Sequence, residues 1–404
     1  MNTETHIKQQ LMKFNMYGLL KNLRFFDPFL LLYLIENDIS FGMIGVLFAI
    51  REAIVYIFEI PSGIIADQYG KKTELIASFL FYICSFVLFF LGGSILIFIL
   101  AFIVFGFGEA FRTGTHKAII IDFMEYHNIT TNKSVIYGKT RSYSLIGSSI
   151  SSLLSVVLII YIKEYNILFL IAIIPYIIDM FLIFSYPGYL NFTKNHKFTF
   201  REFYNGTIGL LLMLKKDKKL RGTLIDSSLY NGIFKTVKDY IQVILFPLLV
   251  GVVLITSQDE ETNNKVVIGI VYAVIYFVSS YASKNAHRFK GDNYNRSLPF
   301  FWIMLFIVSA FIVILEDQYI YITLMFLALY IIQNIRKPIM VEKIGDIADK
   351  NYRASVLSVE SQLTSIVVII FAPVLGFIFD HYGFSYVFII VALLSLIMYK
   401  VTKK

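Results

Sequence analysis

Long apolar runs alternate with short polar turns along this chain about twelve times. The runs lie near 16–37, 40–62, 73–92, 95–122, 140–162, 165–186, 223–255, 265–284, 298–315, 319–340, 354–378 and 383–400. About 20 apolar residues in an α-helix cover the hydrocarbon thickness of a bilayer. The pattern therefore predicts an all-α integral membrane protein of 12 transmembrane helices. Charge in the turns orders the two sides. With the N-terminus inside, one side carries Lys8, Lys13, Lys71, Lys72, Lys133, Lys139, Arg141, a basic cluster within 188–221, Lys284, Arg288, Lys290, Arg296, Lys343, Lys350, Arg353 and the tail from Lys400 to Lys404. The other side has little basic charge beyond Lys163 and Lys265, and carries Asp38, Glu164, Asp259-Glu260-Glu261, Glu316-Asp317 and Asp380. Lys and Arg collect on the cytoplasmic side of membrane proteins. An odd number of spans would scramble the alternation. A multi-pass protein of the cytoplasmic membrane, with both termini cytoplasmic, is expected.

Composition agrees. Of 404 residues, 57% are hydrophobic, 17% aromatic and 16% charged, and the mean hydropathy is +0.70. Such a chain faces lipid over most of its surface. The net charge of +8 follows the turns, so the bilayer and not nucleic acid is its partner. The single Cys84 excludes an intrachain disulfide and a zinc–cysteine site. No two of the six histidines, His6, His116, His127, His196, His287 and His381, share metal-ligand spacing. No nucleophile elbow or phosphate loop occurs. Neither an enzyme nor a resident metal or cofactor is expected. Met1 to Phe14 is polar and no apolar core with a cleavage site follows, so the first span is expected to act as its own insertion signal.

The longest polar segment, Gly188 to Arg221, falls after the sixth span. It divides the chain into a bundle at 1–187, a basic cytoplasmic linker at 188–221 and a bundle at 222–404. Phe198 to Leu214 alternates aromatic and polar residues and is read as an interfacial helix. A weak repeat relates the bundles. Arg112 precedes Asp122 by ten residues, and Arg336 precedes Asp346 by ten; Lys21 and Arg24 are three apart, as are Lys235 and Lys238. Parallel repeats flanking a central site give two pseudo-symmetric six-helix bundles.

Ionisable groups inside a membrane are costly and point to function. In the first span Lys21, Arg24 and Asp27 step by three onto one helix face, with Pro28 next. The second span carries Arg51, Glu52 and Glu59, and the fourth carries Glu109, Arg112 and His116 as one stripe with Lys117 beside it. The seventh carries Lys235, Lys238, Asp239 and Gln242; the tenth Gln333 and Arg336; the eleventh Glu360 and Gln362. Spans 3, 9 and 12 have almost none, and span 6 has Asp179 alone. Asp27, Glu52 and Glu109 are candidates for proton coupling, since low dielectric favours the neutral carboxyl. Arg24, Arg51, Arg112, Lys235, Lys238, Gln242, Gln333 and Arg336 are candidates for binding a solute, with Lys117 as a further basic group; bidentate arginine contacts favour carboxylate or phosphate. Each has a second reading as a buried ion pair that fixes helix register.

One turn is distinctive. Gly63-x-x-x-Asp67-x-x-Gly70-Lys71-Lys72 joins spans 2 and 3. It resembles the signature loop of the major facilitator superfamily of secondary transporters. Gly108-Glu109-Ala110-Phe111 with Ala118-Ile119-Ile120-Ile121-Asp122 resembles helix 4 of bacterial facilitator-type efflux permeases, and Arg353-Ala354-Ser355-Val356-Leu357-Ser358 the start of their helix 11. The resemblance covers essentially the whole chain. It implies alternating access between the halves, with Asp67 latching the inner side by contacts to helix 11. The second copy of the loop, Ser280 to Lys290, lacks the Gly-x-x-x-Asp frame. Gly376-x-x-x-Asp380-x-x-Gly383 has that frame at the outer end of span 11, where it reads as close helix packing. Gly147-Ser148-Ser149-Ile150-Ser151-Ser152 in span 5 lacks the Gly-Pro of proton-driven drug antiporters. The expected function is secondary transport of a small organic solute, anionic or amphipathic, driven by a proton gradient with export favoured, by a monomer in the bilayer. The alternatives are a uniporter or importer, and a receptor or scaffold of transporter-like fold.

Overall fold

Three of the twelve passes are broken where charged residues enter the membrane. The computed structural model describes residues 3–129, 133–191, 217–248, 259–289, 294–315, 318–347 and 353–403, and among these it contains helices and no strand. The first pass is α1 (Thr3–Leu20), a 3-10 turn at Asp27–Phe29 and α2 (Leu30–Glu36). α3 (Phe41–Tyr69) and α4 (Lys71–Leu91) follow. The fourth pass is α5 (Ile95–Arg112) with α6 (Thr115–Tyr126), then α7 (Lys133–Ile162) and α8 (Tyr165–Phe184). The second half opens with another broken pass: α9 (Lys218–Val237), a 3-10 turn at Lys238–Tyr240 and α10 (Ile241–Leu248). It closes with α11 (Glu260–Lys284), α12 (Tyr294–Ile314), α13 (Tyr319–Ile347), α14 (Arg353–Tyr382) and α15 (Phe384–Lys403). Among the described residues, nine helices are long and apolar enough to cross a membrane, and Leu298–Ile314 is a shorter apolar helix. With the broken first and seventh passes these make the expected twelve.

The breaks correct three sequence expectations. Lys21, Arg24 and Asp27 do not share a face of one helix, because residues 21–26 are not helical. Pro28 has no N–H to give the Arg24 carbonyl, and Asp27 N bonds that carbonyl at 3.0 Å instead. Glu109 and Arg112 are likewise separated from His116 by Thr113 and Gly114, which sits at φ +88°. Lys238 and Asp239 lie in a 3-10 turn that carries no proline, not on an α-helical stripe. Lys218 to Arg221, expected in the linker, already belong to α9, whose N-terminus is capped by Asp217 accepting from Leu220 N at 2.9 Å. The proposed interfacial helix Phe198 to Leu214 lies outside the described residues.

The halves meet along two antiparallel seams, α3 with α14 and α7 with α11. At the end of the bundle bearing Phe41, Lys163 and Asp259 they are sealed. Asp380 accepts from Phe41 N at 2.9 Å and Gly42 N at 2.7 Å, so α14 adds a carboxylate to the N-terminus of α3, whose own cap is Ser40 accepting from Met43 N at 3.3 Å. The Phe41 and Phe379 rings stack at 3.9 Å. A Cβ on Gly45 would collide with the Ala372 carbonyl, and one on Gly376 with the Phe41 carbonyl. This agrees with the packing role read for Gly376. Lys163 Nζ reaches Asp259 at 2.8 Å. That bond, with the Thr262 hydroxyl and amide beside it, holds the Asp259 carboxyl well below the usual carboxylate range.

At the opposite end, Gly70 closes α3 at φ +96° and the loop is bound back into its own half. Lys71 Nζ meets Asp122 at 2.5 Å, and Lys72 Nζ meets the Phe184 carbonyl at 2.5 Å. Asn191 Oδ1 accepts from Lys72 N and Thr73 N at 3.0 and 3.2 Å, capping α4. Gly63 has open space around it. The Asp67 side chain lies outside the described part of the structure, and so do those of Lys117 and Arg353.

Candidate functional site

Two guanidinium groups converge on one carboxylate in the N-terminal half. Glu109 Oε1 lies 3.3 Å from Arg24 and Oε2 lies 3.3 Å from Arg112. Tyr82 donates to Glu109 at 2.6 Å and accepts from Arg112 Nε at 2.9 Å. Arg24 Nε donates to Tyr176 at 2.5 Å, and Tyr176 donates to the Lys21 carbonyl at 2.9 Å. The Arg24 guanidinium also lies over Phe105 and Tyr82, 5.0 and 5.2 Å from the ring centres. The break in the first pass is what lets Arg24 turn from its helix toward α5 and α8. Two cations against one carboxylate leave this cluster one positive charge in excess.

A second cluster has the same balance and joins the halves. Glu52, on α3, is 3.1 Å from Arg51 and 3.3 Å from Lys235 on α9, and accepts from Ser365 on α14 at 2.9 Å. Its side chain is 5% exposed, that of Lys235 42%. Lys235 thus comes from outside the N-terminal half to a carboxylate buried at the seam.

The broken first and seventh passes touch. Gln242, the second residue of α10, is fully buried. Its Oε1 accepts from Leu31 N at 2.9 Å, and its Nε2 donates to the Asp27 carbonyl at 3.0 Å. An unbroken helix would bond Leu31 N directly to Asp27 O. The amide of Gln242 is inserted into that missing bond and satisfies both groups. Its Nε2 also reaches Tyr272 at 3.1 Å; Tyr272 donates to Asp239 at 3.3 Å, and Asp239 pairs with Lys238 at 2.5 Å.

Asp27 stands apart from the other candidates. Its carbonyl is engaged by Gln242, but its carboxyl group has no hydrogen bond or ion pair among the described residues. Arg24, Lys238 and Asp239 are the charged groups that act on it most. Arg24 and Lys238 are themselves committed to Glu109 and Asp239.

Arg336 and Gln333 lie elsewhere, inside the C-terminal half. Arg336 is fully buried, bonded to Asp226 at 2.6 Å and stacked on Tyr230 at 4.1 Å, while Trp302 Nε1 donates to the same carboxylate at 2.5 Å. Gln333 donates to Asn231 at 2.8 Å, and Asn231 to Glu360 at 2.6 Å. The repeat that aligned Arg112–Asp122 with Arg336–Asp346 does not carry equivalent pairings: Arg112 binds Glu109, Asp122 binds Lys71 and Arg336 binds Asp226.

Sequence reasoning missed Tyr82, Tyr176, Tyr272 and Ser365. Among 27 tyrosines nothing local marks the three that bond charged groups. Their spacing from Arg24, Glu109 and Asp239 exists only in the fold.

A family model described as Major Facilitator Superfamily matches residues 22–335. The chain belongs to the major facilitator superfamily. An "Uncharacterized MFS-type transporter YxaM" of Bacillus subtilis (strain 168) is 44% identical over 64 residues, which is 16% of this chain and 16% of that protein. Among solved structures, a mutant of the nucleoside transporter NupG superposes with a TM-score of 0.77 at 13% identity, covering 98% of both chains. A POT family transporter in complex with 5-aminolevulinic acid gives 0.73 at 12% identity, covering 97% of this chain and 95% of that one. The human organic anion transporter MFSD10 gives 0.65 at 12% identity, covering 98% and 99%. At these identities the likeness is one of fold. This superfamily chain is a multi-pass membrane transporter, with sites still to be assigned by its own chemistry.

Proposed function

We propose that the protein moves a small organic solute by alternating access and couples that movement to protons through Asp27. One observation carries the reading. Glu52 and Glu109 are each bonded to two cations, whereas the Asp27 carboxyl group, in the break of the first pass, has no bonded partner among the described residues. A carboxylate held between two cations stays ionised, while one without a counter-charge in low dielectric takes up a proton. Of the three expected proton-coupling residues, Asp27 is the one suited to exchange.

The solute we propose is anionic or amphipathic. Arg24 and Arg112 share one carboxylate, and so do Arg51 and Lys235. A solute carboxylate or phosphate would supply the second counter-charge that each cluster lacks. Arg336, dry and bonded within one half, is assigned a structural role, as is Gln333. Gln242 ties the two breaks together, and Lys238 is paired with Asp239.

Export is the direction proposed, on the likeness of Gly108–Phe111 and Ala118–Asp122 to efflux permeases. The end bearing Gly70, Lys71 and Lys72 is taken as cytoplasmic, from its basic charge. The sealed end then faces outward. Asp67 is retained as a latch for the opposite state, and the working unit as a monomer.

Uptake and efflux in proteoliposomes under an imposed pH gradient, with organic anions and amphipathic solutes, test this. Gradient-driven flux that Asp27→Asn abolishes in a folded protein supports it. Flux indifferent to gradient and substitution would establish a uniporter. No flux of any solute shifts the assignment to a receptor or scaffold.

A further inference from the structure

We propose that Asp179 is a second proton-binding carboxyl, inside the N-terminal bundle and away from the space between the halves, and that it loses its proton when Lys21 reaches it. This goes beyond the reading of Asp27 and does not depend on it. Asp179, on α8, is fully buried, and neither carboxyl oxygen has a hydrogen-bond partner among the described residues. An ionised carboxylate in such a place would forfeit its hydration with nothing in exchange. As a neutral acid it needs no counter-charge.

Among the described residues, Tyr17 and Lys21, from α1 and the residue after it, and Tyr186, from just beyond α8, interact with it electrostatically. Tyr176, one helical turn before Asp179, holds the Lys21 carbonyl at 2.9 Å. Tyr186 Oη is 3.5 Å from His116 Nε2 on α6, and His116 stacks on Tyr17 at 3.7 Å. On α4, Lys71, Lys72, Glu74 and Tyr82 are engaged by Asp122, the Phe184 carbonyl, Thr115 and Glu109, and Cys84 is exposed. On α5, Arg112 is held by Glu109. On α7, Arg141 reaches across to Asn334. Lys21 is thus a cation whose backbone is tied, through Tyr176, one helical turn from Asp179.

Lys21 is not bonded to Asp179 in this structure. Its ammonium lies over the Tyr17 ring, 5.7 Å from the centre. It is the first residue after α1, where the break begins, and its carbonyl is held by Tyr176, the residue that also holds Arg24. Rearrangement of the break moves Lys21 with it. When the ammonium meets the carboxyl group, Asp179 releases one proton and an ion pair replaces a neutral acid beside a free cation; Lys21 keeps its own proton. The released proton leaves by way of Tyr186 and His116, which are 3.5 Å apart. A change in the shape of the first pass is thereby tied to a proton that never enters the solute site.

Infrared spectroscopy of the full chain in lipid reads the carbonyl stretch of protonated carboxyl groups. At neutral pH, Asp179→Asn is expected to remove one carboxyl equivalent, and Asp27→Asn to leave that component in place. Lys21→Met is expected to add none, because Asp179 is already protonated. On raising the pH, the Asp179 component should disappear earlier in the wild type than in Lys21→Met. An unchanged band in Asp179→Asn overturns the proposal, as does a carboxyl equivalent gained in Lys21→Met. Identical titrations with and without Lys21 would remove the lysine from it. If Asp179→Asn does not fold, the wild-type and Lys21→Met spectra decide alone.

Discussion

The side-chain amide of Gln242 replaces the backbone hydrogen bond between Leu31 and Asp27. One residue of the C-terminal half thus completes a helix of the N-terminal half, at the level where that helix carries a free carboxyl group. Gln242→Leu should leave a buried N–H and a buried C=O unmet. Each costs about 1–3 kcal/mol. The expected result is a lower melting temperature in detergent and greater reactivity of a probe cysteine at position 31. Gln242→Glu keeps the acceptor but, when ionised, buries a charge against the Asp27 carbonyl, and should be at least as destabilising.

Glu109 is shared by Arg24 and Arg112, so its loss leaves two half-buried guanidinium groups with no carboxylate between them. Glu109→Gln should destabilise the protein by about 1–3 kcal/mol, the usual effect of removing a hydrogen-bonded charged partner. Adding Arg112→Gln should recover much of that. Thermal unfolding of the two single variants and the double variant checks the coupling. Additive losses would show that the cluster is not a unit.

Arg336 and Asp226 give the contrasting case. Either Arg336→Met or Asp226→Leu alone should cost about 3–5 kcal/mol, and the double variant should fold better than either. If Arg336 is structural, transport by the double variant will show an unchanged KM. A large rise in KM would return Arg336 to the solute site.

At the sealed end, Gly45→Ala places a methyl group against the Ala372 carbonyl. The α3–α14 seam must open there, at a cost of about 1–3 kcal/mol. Cysteine pairs across positions 42 and 377 should cross-link less readily in Gly45→Ala than in the parent pair.

The Lys163–Asp259 pair makes a prediction about pH. Asp259 is held below the usual carboxylate range, so its contribution is present above the unfolded value of about 3.9. It is lost only as pH falls through the lower folded value. Between pH 7 and 5 this contact should therefore be constant. Hydrogen exchange of the Thr262 and Asn263 amides over that interval should not change once the intrinsic rate is removed; a steep rise toward pH 5 would contradict the assignment.

Much of the architecture was legible because lipid imposes a simple rule. Twelve apolar runs became twelve passes, and the Gly-x-x-x-Asp frame at Gly376 and Asp380 became a close crossing. The breaks were harder to read. Pro28 signals one, Gly114 another, but Lys238–Tyr240 has no such mark and tightens only in the company of Gln242 and Tyr272. Pairing was less legible still. Arg112 and Arg336 look alike in sequence, yet one shares Glu109 with Arg24 while the other is enclosed by Asp226, Tyr230 and Trp302. The difference lies in which neighbouring helix carries the carboxylate, and no local pattern records that. Asp179 was visible as an exception in the sixth pass; that it lacks any bonded partner is a property of the packed bundle.

Asp380 has one more consequence. It binds backbone N–H groups of Phe41 and Gly42, which every residue but proline possesses. A side chain on α3 can therefore drift without breaking the bond, provided Gly42 stays small enough to admit Phe377 and the carboxylate. Contacts between side chains leave paired changes in related sequences. This one should leave none: an invariant aspartate on one helix, an invariant glycine on the other, and no covariation to reveal that they hold the same gate.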